Sequence, residues 1–164
     1  DVICSFIELQ SINNGTLAST LNLTKKKILP YIDLEYSTEL ALAGHWDQLS
    51  SRDKKIFQRD IKNSLINEYV GILSSLTNWE DIIVTVNEDF SQIENIARVK
   101  ITVSLDNKNT NASVTLKLIR KNRWKIYDLE YQSISIVDIE KMGYDSKIKR
   151  QGINKLVQKL LNKS

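Results

Sequence analysis

A strict alternation of apolar and polar residues in the second half of the chain constrains the fold more than any other feature. Every second residue is apolar over residues 97–105 and again over residues 112–118, and the residues between them are Arg, Lys, Thr and Ser. A period of two is the period of a β-strand, so each run predicts a strand with one apolar and one polar face. The short polar segment between the runs, residues 106–111, predicts that they pair as an antiparallel meander. The alternating apolar residues are Ala97, Val99, Ile101, Val103 and Leu105, then Ala112, Val114, Leu116 and Leu118.

Two helices are predicted before these strands. Pro30 suits the first turn of a helix, and an apolar stripe at helical spacing follows it as far as Trp46. Ser50, with Asp53 three residues later, forms a carboxylate variant of the capping box and predicts the start of a second helix. The second half of that helix is apolar nearly all round, which predicts burial on more than one side. The stripes are Ile32, Tyr36, Leu40, Ala43 and Trp46 in the first helix, and Phe57, Ile61, Leu65, Tyr69, Ile72 and Leu76 in the second.

Residues 122–137, NRWKIYDLEYQSISIV, predict a further strand with an irregularity. Trp124 and Ile126 would share one face of such a strand, whereas the bulky Tyr127 falls on the other. A bulge near Tyr127 and Asp128, or burial of both faces, would account for the broken alternation. The segment also raises the question of what covers the second face of the sheet, since helices normally cover one.

These patterns together predict an α+β fold in a single domain over residues 1–164. The expected architecture is a curved antiparallel sheet of about four strands with helices packed against it. One proline and five glycines in 164 residues leave little linker material. A final helix completes the pattern, with an apolar stripe of Ile153, Leu156, Val157, Leu160 and Leu161.

Residues that carry enzyme chemistry are scarce. His45 is the sole histidine and Cys4 the sole cysteine, so a site with two imidazoles, an internal disulfide and a thiolate zinc site are excluded. The five glycines lie far apart, so no phosphate-binding loop or dinucleotide fingerprint is present. The sequence therefore nominates no catalytic residue and no metal ligand, and it predicts that the protein is not an enzyme.

One alternative is a cone-shaped α+β domain that binds or transforms a small apolar molecule. It requires a polar or titratable group deep in a pocket, for which Asp33, Asp128 and His45 are the candidates.

The charge of +3 is distributed unevenly along the chain. Residues 141–164 hold seven lysines and arginines against one aspartate. A basic end of this kind can steer a protein to a membrane, a nucleic acid or an acidic partner. A basic adaptor that uses its C-terminal helix is therefore a further alternative. Binding of RNA bases on the sheet is not expected. Such binding uses exposed aromatic residues, and none lies between Arg98, Lys100 and Lys117 on the polar face.

Three segments carry recognisable patterns in a fixed order. LPYIDLEYSTELALAGHW at 29–46 runs from Pro-aromatic-x-Asp to Gly-x-Trp. WKIYDLEYQSISIV at 124–137 contains Trp-x-x-Tyr-Asp and then Ser, and KIKRQGINKLVQKL at 147–160 contains Arg-x-Gly-Ile-x-x-Leu. Together with NEYVGIL at 67–73, they resemble the MlaC family, the toluene-tolerance auxiliary proteins of Gram-negative ABC transport systems. The resemblance covers about residues 25–161.

The chain departs from the family pattern before its last helix. Lys141, Gly143 and Tyr144 stand where the family usually has an arginine and then Gln-Phe, and Gln151-Gly152 replaces a Gly-Gly pair. These changes leave the expected fold intact, but no role is carried over from that arginine.

The resemblance implies a periplasmic phospholipid carrier that maintains outer-membrane lipid asymmetry. Its expected partners are an outer-membrane lipoprotein complex and an inner-membrane ABC transporter complex. No cofactor is expected apart from a bound phospholipid as cargo, no nucleic acid is expected as a partner, and the protein is expected to be a monomer. A sequence that opens at Asp1 without a signal-peptide pattern is expected to be a mature form.

The second face of the sheet would then line an apolar pocket, and the acyl tails of the lipid would cover it. Core and pocket wall use the same residue types, so periodicity alone does not separate them. The residues expected to bind lipid are Tyr36, Leu40, Trp46, Tyr69, Leu73, Ile101, Val103, Val114, Leu116, Trp124, Tyr127 and Ile136.

Overall fold

The alternating segments pair in sequence order as one antiparallel sheet in a computed structural model that describes residues 21–22, 24–75, 82–105 and 108–163. The sheet has five strands in the described residues, against the four or so expected, because a two-residue strand adds to its edge. The strands are β1 (Ile82–Ile93), β2 (Ile96–Leu105), β3 (Lys108–Arg120), β4 (Trp124–Tyr131) and β5 (Ile134–Ser135).

Four α-helices of the described residues pack with this sheet, two before it in sequence and two after it. The apolar stripe predicted for the final helix is confirmed, since Leu156, Val157 and Leu160 are buried. Gly152 separates the last two helices at φ +80°, a conformation that a side chain would disfavour. The helices are α1 (Leu34–Leu42), α2 (Ser51–Ser75), α3 (Ile136–Gln151) and α4 (Ile153–Leu161).

The first predicted helix differs at both ends. It begins at Leu34 and not at Pro30, because Ile32 is extended and bridges to Ile126 of β4. Asp33 then caps α1 by accepting a hydrogen bond from the Tyr36 backbone N–H at 3.0 Å.

The far end of that helix stops before Trp46. Ala43 has φ +45° and is exposed, so it ends α1 and leaves the predicted stripe. Trp46 follows in a 3₁₀ segment, Ala43–Gln48, and is buried there.

The predicted cap of the second helix is confirmed. Asp53 donates its backbone N–H to Ser50 Oγ at 3.1 Å, and Ser50 Oγ donates in turn to Asp53 Oδ2 at 2.7 Å. From this start α2 runs for 25 residues and buries Phe57, Ile61 and Leu65. In its second half Ile66 is buried as well, while the side chains from residue 69 onward are not described, so the predicted burial there stays a prediction.

The predicted irregularity in the fourth strand is a bulge. Lys117 pairs with Asp128 and Leu118 pairs with Ile126, so Tyr127 is the extra residue of β4. The prediction of a bulge near Tyr127 and Asp128 is therefore confirmed.

The placement of Ile136 in the sheet was wrong. Gln132 and Ser133 both have positive φ, 49° and 65°, and turn the chain after β4. Ser135 then caps a helix by accepting a hydrogen bond from the Asp138 backbone N–H at 3.0 Å, so Ile136 is the first residue of α3.

The main core lies between the four helices and the apolar face of the sheet. Phe57 and Tyr144 meet edge to face at its centre, with ring centroids 5.3 Å apart. Ile101, Leu116 and Leu129 supply its sheet side. None of the helices described is both long enough and apolar enough to cross a membrane.

Candidate functional site

Three strands, β2, β3 and β4, build a continuous apolar face across two ladders. Residues directly opposite each other in an antiparallel ladder share one face of the sheet. Val99 of β2 faces Leu116 of β3, and Leu116 faces Leu129 of β4. Two residue pairs further along, Val114 of β3 faces Tyr131 of β4. The alternation in the sequence therefore becomes one apolar surface on the sheet.

Helices cover this apolar face only in part. Leu116 and Leu129 are buried in the core, whereas Val99, Val114 and Tyr131 on the same face remain partly exposed. Val114 and Tyr131 pack against the margin of the core and not inside it. These partly exposed apolar side chains could be shielded from water by a bound apolar molecule.

The predicted lipid-binding residues divide into three groups by burial. Trp46, Ile101, Leu116 and Ile136 come together in the core, and Leu40 and Val114 pack against it. Tyr36, Trp124 and Tyr127 are also half-buried. The side chains of Tyr69, Leu73 and Val103 lie outside the described part of the structure. Which of these residues would contact a ligand stays a prediction.

Tyr36 and Tyr127 form an aromatic pair at the bulge. Their ring centroids are 5.1 Å apart at an interplanar angle of 73°, an edge-to-face arrangement. Burial raises the pKa of Tyr127, so its hydroxyl is neutral at physiological pH. Ser37 Oγ lies 2.8 Å from the carbonyl oxygen of Asp33 and 2.7 Å from that of Tyr127. The contact with Tyr127 connects α1 to β4. The bulge thus places an aromatic pair where helix and sheet meet.

Asp128 organises a buried polar cluster that sequence reasoning did not anticipate. Its side chain is 3% exposed, and Oδ2 accepts hydrogen bonds from Ser135 Oγ and Lys117 Nζ, both at 2.7 Å. Oδ1 accepts from the Val137 backbone N–H at 3.1 Å. The carboxylate therefore joins β3, β4 and the start of α3. The available signal was an aspartate among the aromatic and aliphatic residues of β4, with a serine seven residues later.

Lys117 is the cation of this cluster. Burial by itself lowers the pKa of Lys117, but the hydrogen bond to Asp128 and the charges of Asp128 and Glu130 outweigh it and raise that pKa. Lys117 Nζ also lies 3.5 Å from Glu130 Oε2. The positive charge of Lys117 is thus compensated by the carboxylates of Asp128 and Glu130.

Asp33 and His45, the other polar candidates for a reactive group, also make structural contacts. Asp33 caps α1 and its Oδ2 lies 2.8 Å from Lys121 Nζ, whose pKa is raised by that hydrogen bond. His45 Nε2 lies 3.8 Å from Asp145 Oδ1 at the surface. Asp33, His45 and Asp128 thus each contact different partners. Among the residues described, no group of three His, Cys, Asp or Glu side chains is placed to hold a metal ion.

Among the described residues, two depressions can be located on the outside of the helices and turns. One of about 410 Å³ follows the first turns of α2 and is lined by Ser51, Arg52, Lys55, Ile56 and Arg59. The other, of about 360 Å³, lies between the residues around the start of α1 and the turn between β3 and β4, which includes Lys121 and Arg123. Neither is the expected apolar pocket between sheet and helices, which stays a prediction.

Comparison with protein families gives a match over nearly the whole sequence. The family model described as MlaC protein matches residues 5–162. A curated relative, the intermembrane phospholipid transport system binding protein MlaC of Haemophilus influenzae, is 20% identical over 143 residues. That alignment covers 84% of this chain and 65% of the relative, so the chain spans a little less than two thirds of the length of that protein.

A solved structure has the same fold. The phospholipid-binding protein of Ralstonia solanacearum, determined in complex with a phospholipid, superimposes with a TM-score of 0.74. The two chains are 24% identical, and the match covers 94% of this chain and 84% of the other. The comparison supports the α+β architecture, a sheet with helices against it.

Proposed function

This chain belongs to the MlaC protein family, and from that premise we propose that it is a phospholipid carrier. The acyl chains of the lipid lie against the apolar face of the sheet, between the sheet and the helices. The headgroup stays at the surface. The lipid is cargo and not a cofactor, and the protein performs no catalysis.

The observation that carries this proposal is the incomplete cover on one apolar face of the sheet. Val99, Val114 and Tyr131 share that face with the buried Leu116 and Leu129, yet they remain partly exposed. A tightly packed domain normally buries such a continuous apolar face with its own helices. A hydrocarbon chain laid along these residues would complete the burial.

The energetics require a large apolar contact. Shielding one methylene from water stabilises by about 0.8 kcal/mol, so about thirty methylenes amount to roughly 20 kcal/mol before costs. A bilayer provides the same shielding, so a carrier has to match it closely with apolar surface and cannot rely on a few polar contacts. The extended apolar face suits that requirement better than the polar clusters do.

The burial pattern refines which residues we expect at the lipid. Val114 and Leu40 pack at the margin of the core, and Tyr36 and Tyr127 form a half-buried pair where α1 meets β4. These four residues are the proposed tail contacts. Residues that are already buried, such as Leu116, would form the layer behind them. A tyrosine can keep its hydroxyl near water while its ring touches an acyl chain.

The names of the relatives support a place in transport between membranes. The Haemophilus influenzae relative is a binding protein of an intermembrane phospholipid transport system. We therefore propose a periplasmic protein that exchanges lipid with an inner-membrane ABC transporter complex and an outer-membrane lipoprotein complex, as a monomer.

Organic extraction tests lipid binding directly. Protein purified without added lipid is extracted with chloroform and methanol, and phosphorus in the extract is compared with protein concentration. Near-stoichiometric phospholipid supports the proposal. Extract without phospholipid, from folded protein expressed in a Gram-negative host, contradicts it.

A further inference from the structure

A concentrated positive surface lies on residues of α2 and α4 that are not among the predicted lipid contacts. Residues 51–63, in the first half of α2, and residues 153–163, which include α4, together contain eight lysines and arginines and two aspartates. These two segments carry a charge of +6, whereas the whole chain carries +3. The surface formed by Arg52, Lys55, Arg59, Lys62, Lys155, Lys159 and Lys163 is called the basic face below.

The helical spacing arranges the cations of α2 in one stripe. Arg52, Lys55, Arg59 and Lys62 follow each other at intervals of three, four and three residues, which keeps them on one side of a helix. Arg52, Lys55 and Arg59 are exposed, and they line the depression on the outside of α2. Over ten residues this stripe extends about 15 Å at 1.5 Å per residue.

The cations of α4 form a second stripe. Lys155 and Lys159 of α4, and Lys163 two residues beyond its end, recur every four residues and are all exposed, while Leu156 and Leu160 of α4 are buried. The apolar side of α4 is therefore occupied by the core, and its outer side is a row of lysines.

Contacts between the helices place the two stripes side by side. Arg59 Nη2 of α2 donates to the Leu160 carbonyl of α4 at 3.5 Å. Lys163 Nζ lies 3.6 Å from Asp60 Oδ1, which ties the end of α4 to α2.

The two aspartates of these segments offset the basic face only in part, through the ion pair of Asp60 with Lys163. Asp60 accepts a hydrogen bond from the buried Tyr144 hydroxyl at 3.0 Å and faces the core on that side. Asp53 is engaged by Ser50 at the start of α2. Among the described residues, Lys163 is the one member of the basic face that forms an ion pair with an acidic side chain, so most of its cations are not offset in this way.

We propose that the basic face docks the protein on an anionic lipid bilayer surface. This choice of partner rests on the proposed function, since a lipid carrier must meet membranes. The composition of the face supports this choice, because its cations are mostly lysines. Among the described residues, the large exposed apolar side chains, such as Ile134 and Met142, lie on elements other than α2 and α4. Protein interfaces are usually anchored by aromatic or aliphatic residues in pockets, and single-stranded nucleic acid sites by stacked aromatics. A bilayer offers distributed negative charge, which a row of lysines matches without such anchors.

Vesicle co-sedimentation tests the proposal with a matched pair of variants. The first variant carries Arg52→Gln, Lys55→Gln, Lys155→Gln and Lys159→Gln, which removes four exposed charges of the basic face. The control carries Lys25→Gln, Lys26→Gln, Lys100→Gln and Arg123→Gln, which removes four exposed charges from other elements. The two variants have the same net charge, so a general electrostatic effect changes both equally.

The binding partners in the assay are vesicles of equal parts phosphatidylcholine and phosphatidylglycerol, and vesicles of phosphatidylcholine alone, at low salt. We expect the wild-type chain and the control to bind the anionic vesicles and not the zwitterionic ones. We expect the basic-face variant to lose at least about tenfold in partitioning, because each basic residue at the surface contributes about fivefold. Binding should also weaken as salt screens the charges.

Equal binding by the two variants, or no binding of the wild-type chain to anionic vesicles, would overturn the proposal. Phospholipid extracted from the same preparations separates this outcome from the proposed function. If wild-type protein holds phospholipid but does not bind anionic vesicles, the result contradicts the membrane-docking proposal and leaves the carrier function intact. Wild-type protein that holds no phospholipid refutes the carrier function, while the comparison of the two variants still decides whether the basic face binds membranes.

Discussion

Ser135 Oγ lies 2.7 Å from Asp128 Oδ2, and this contact couples the N-terminal cap of α3 to the bulged strand β4. The same hydroxyl accepts the Asp138 backbone N–H at 3.0 Å, so it is both a helix cap and a donor to a buried carboxylate. The turn between β4 and α3 is thereby held in one geometry. Since α3 contributes the buried Tyr144, this polar contact orients part of the core.

Asp128→Asn tests the buried cluster. The substitution keeps the volume but leaves the Lys117 ammonium without its buried counter-charge, so we expect the free energy of unfolding to fall by about 2–3 kcal/mol. Urea denaturation measures the change. Arg98→Gln is the control, because the Arg98–Glu130 pair at 2.9 Å is much more exposed and should contribute less than about 1 kcal/mol. Equal losses in the two variants would show that Asp128 has no special role.

Ser50→Ala tests the cap of the longest helix. The backbone N–H of Asp53 would lose its acceptor, and we expect the free energy of unfolding to fall by about 1 kcal/mol. Ser51→Ala, one residue later, is the control and should change it by less than about 0.5 kcal/mol. Thermal unfolding followed by circular dichroism measures both. A larger effect at Ser51 than at Ser50 would contradict the assignment of the cap.

Tyr144→Phe should change how stability depends on alkaline pH. Burial, with help from the Asp60 and Glu140 carboxylates, raises the pKa of Tyr144 above the ordinary value of about 10. The unfolded chain therefore releases this proton at a lower pH than the folded chain does. The stability contribution is complete below about pH 10 and is lost as the pH rises further, by up to about 1.4 kcal/mol per pH unit.

Urea denaturation at a series of pH values compares the variant with the wild type. Near neutral pH we expect the variant to be about 1 kcal/mol less stable, because the hydrogen bond to Asp60 is lost. Above about pH 10 the difference should shrink and then reverse, since phenylalanine does not ionise. A difference that stays constant up to about pH 11 would show that Tyr144 ionises normally in the folded protein.

Val114→Glu tests the proposed lipid face. A carboxylate in contact with acyl chains would be desolvated at high cost, so we expect the variant to be purified with less than about a tenth of the wild-type phospholipid. Thr115→Glu places the same charge on the opposite face of β3, between Lys100 of β2 and Glu130 of β4, and should retain the lipid. Circular dichroism and thermal melting of both variants separate loss of lipid from loss of fold. A folded Val114→Glu protein with a full complement of lipid would show that this face is not the site.

The parts of the fold that sequence reasoning predicted correctly are those with a local signal. The stripe of α4, the alternation in β2 and β3 and the Ser50 cap each depend on residues close together in the sequence. The bulge was also predictable, because inserting Tyr127 shifts the alternation on either side of it.

The errors arose where the local signal was weak. Positive φ at Ala43, Gln132 and Ser133 ends a helix or turns a strand, but none of these residues is the glycine or asparagine that usually marks such a conformation. For that reason Trp46 was expected in a helix and Ile136 in a strand.

The candidate site was less predictable than the fold. Ile101 and Val114 are paired neighbours in the same ladder, yet one is buried in the core and the other is partly exposed at its margin. Burial depends on which helix lies above each residue, and that is a property of tertiary packing. The Lys117–Asp128–Ser135 cluster likewise joins three elements and has no signature within any one of them.

Mass spectrometry of the purified chain, under native and then denaturing conditions, tests the central claim most directly. If a phospholipid completes the apolar interior, the native mass should exceed the denatured mass by the mass of one or more phospholipids, and the released molecule should be identifiable by fragmentation. Identical native and denatured masses for folded protein, purified from cells without detergent, would contradict the account.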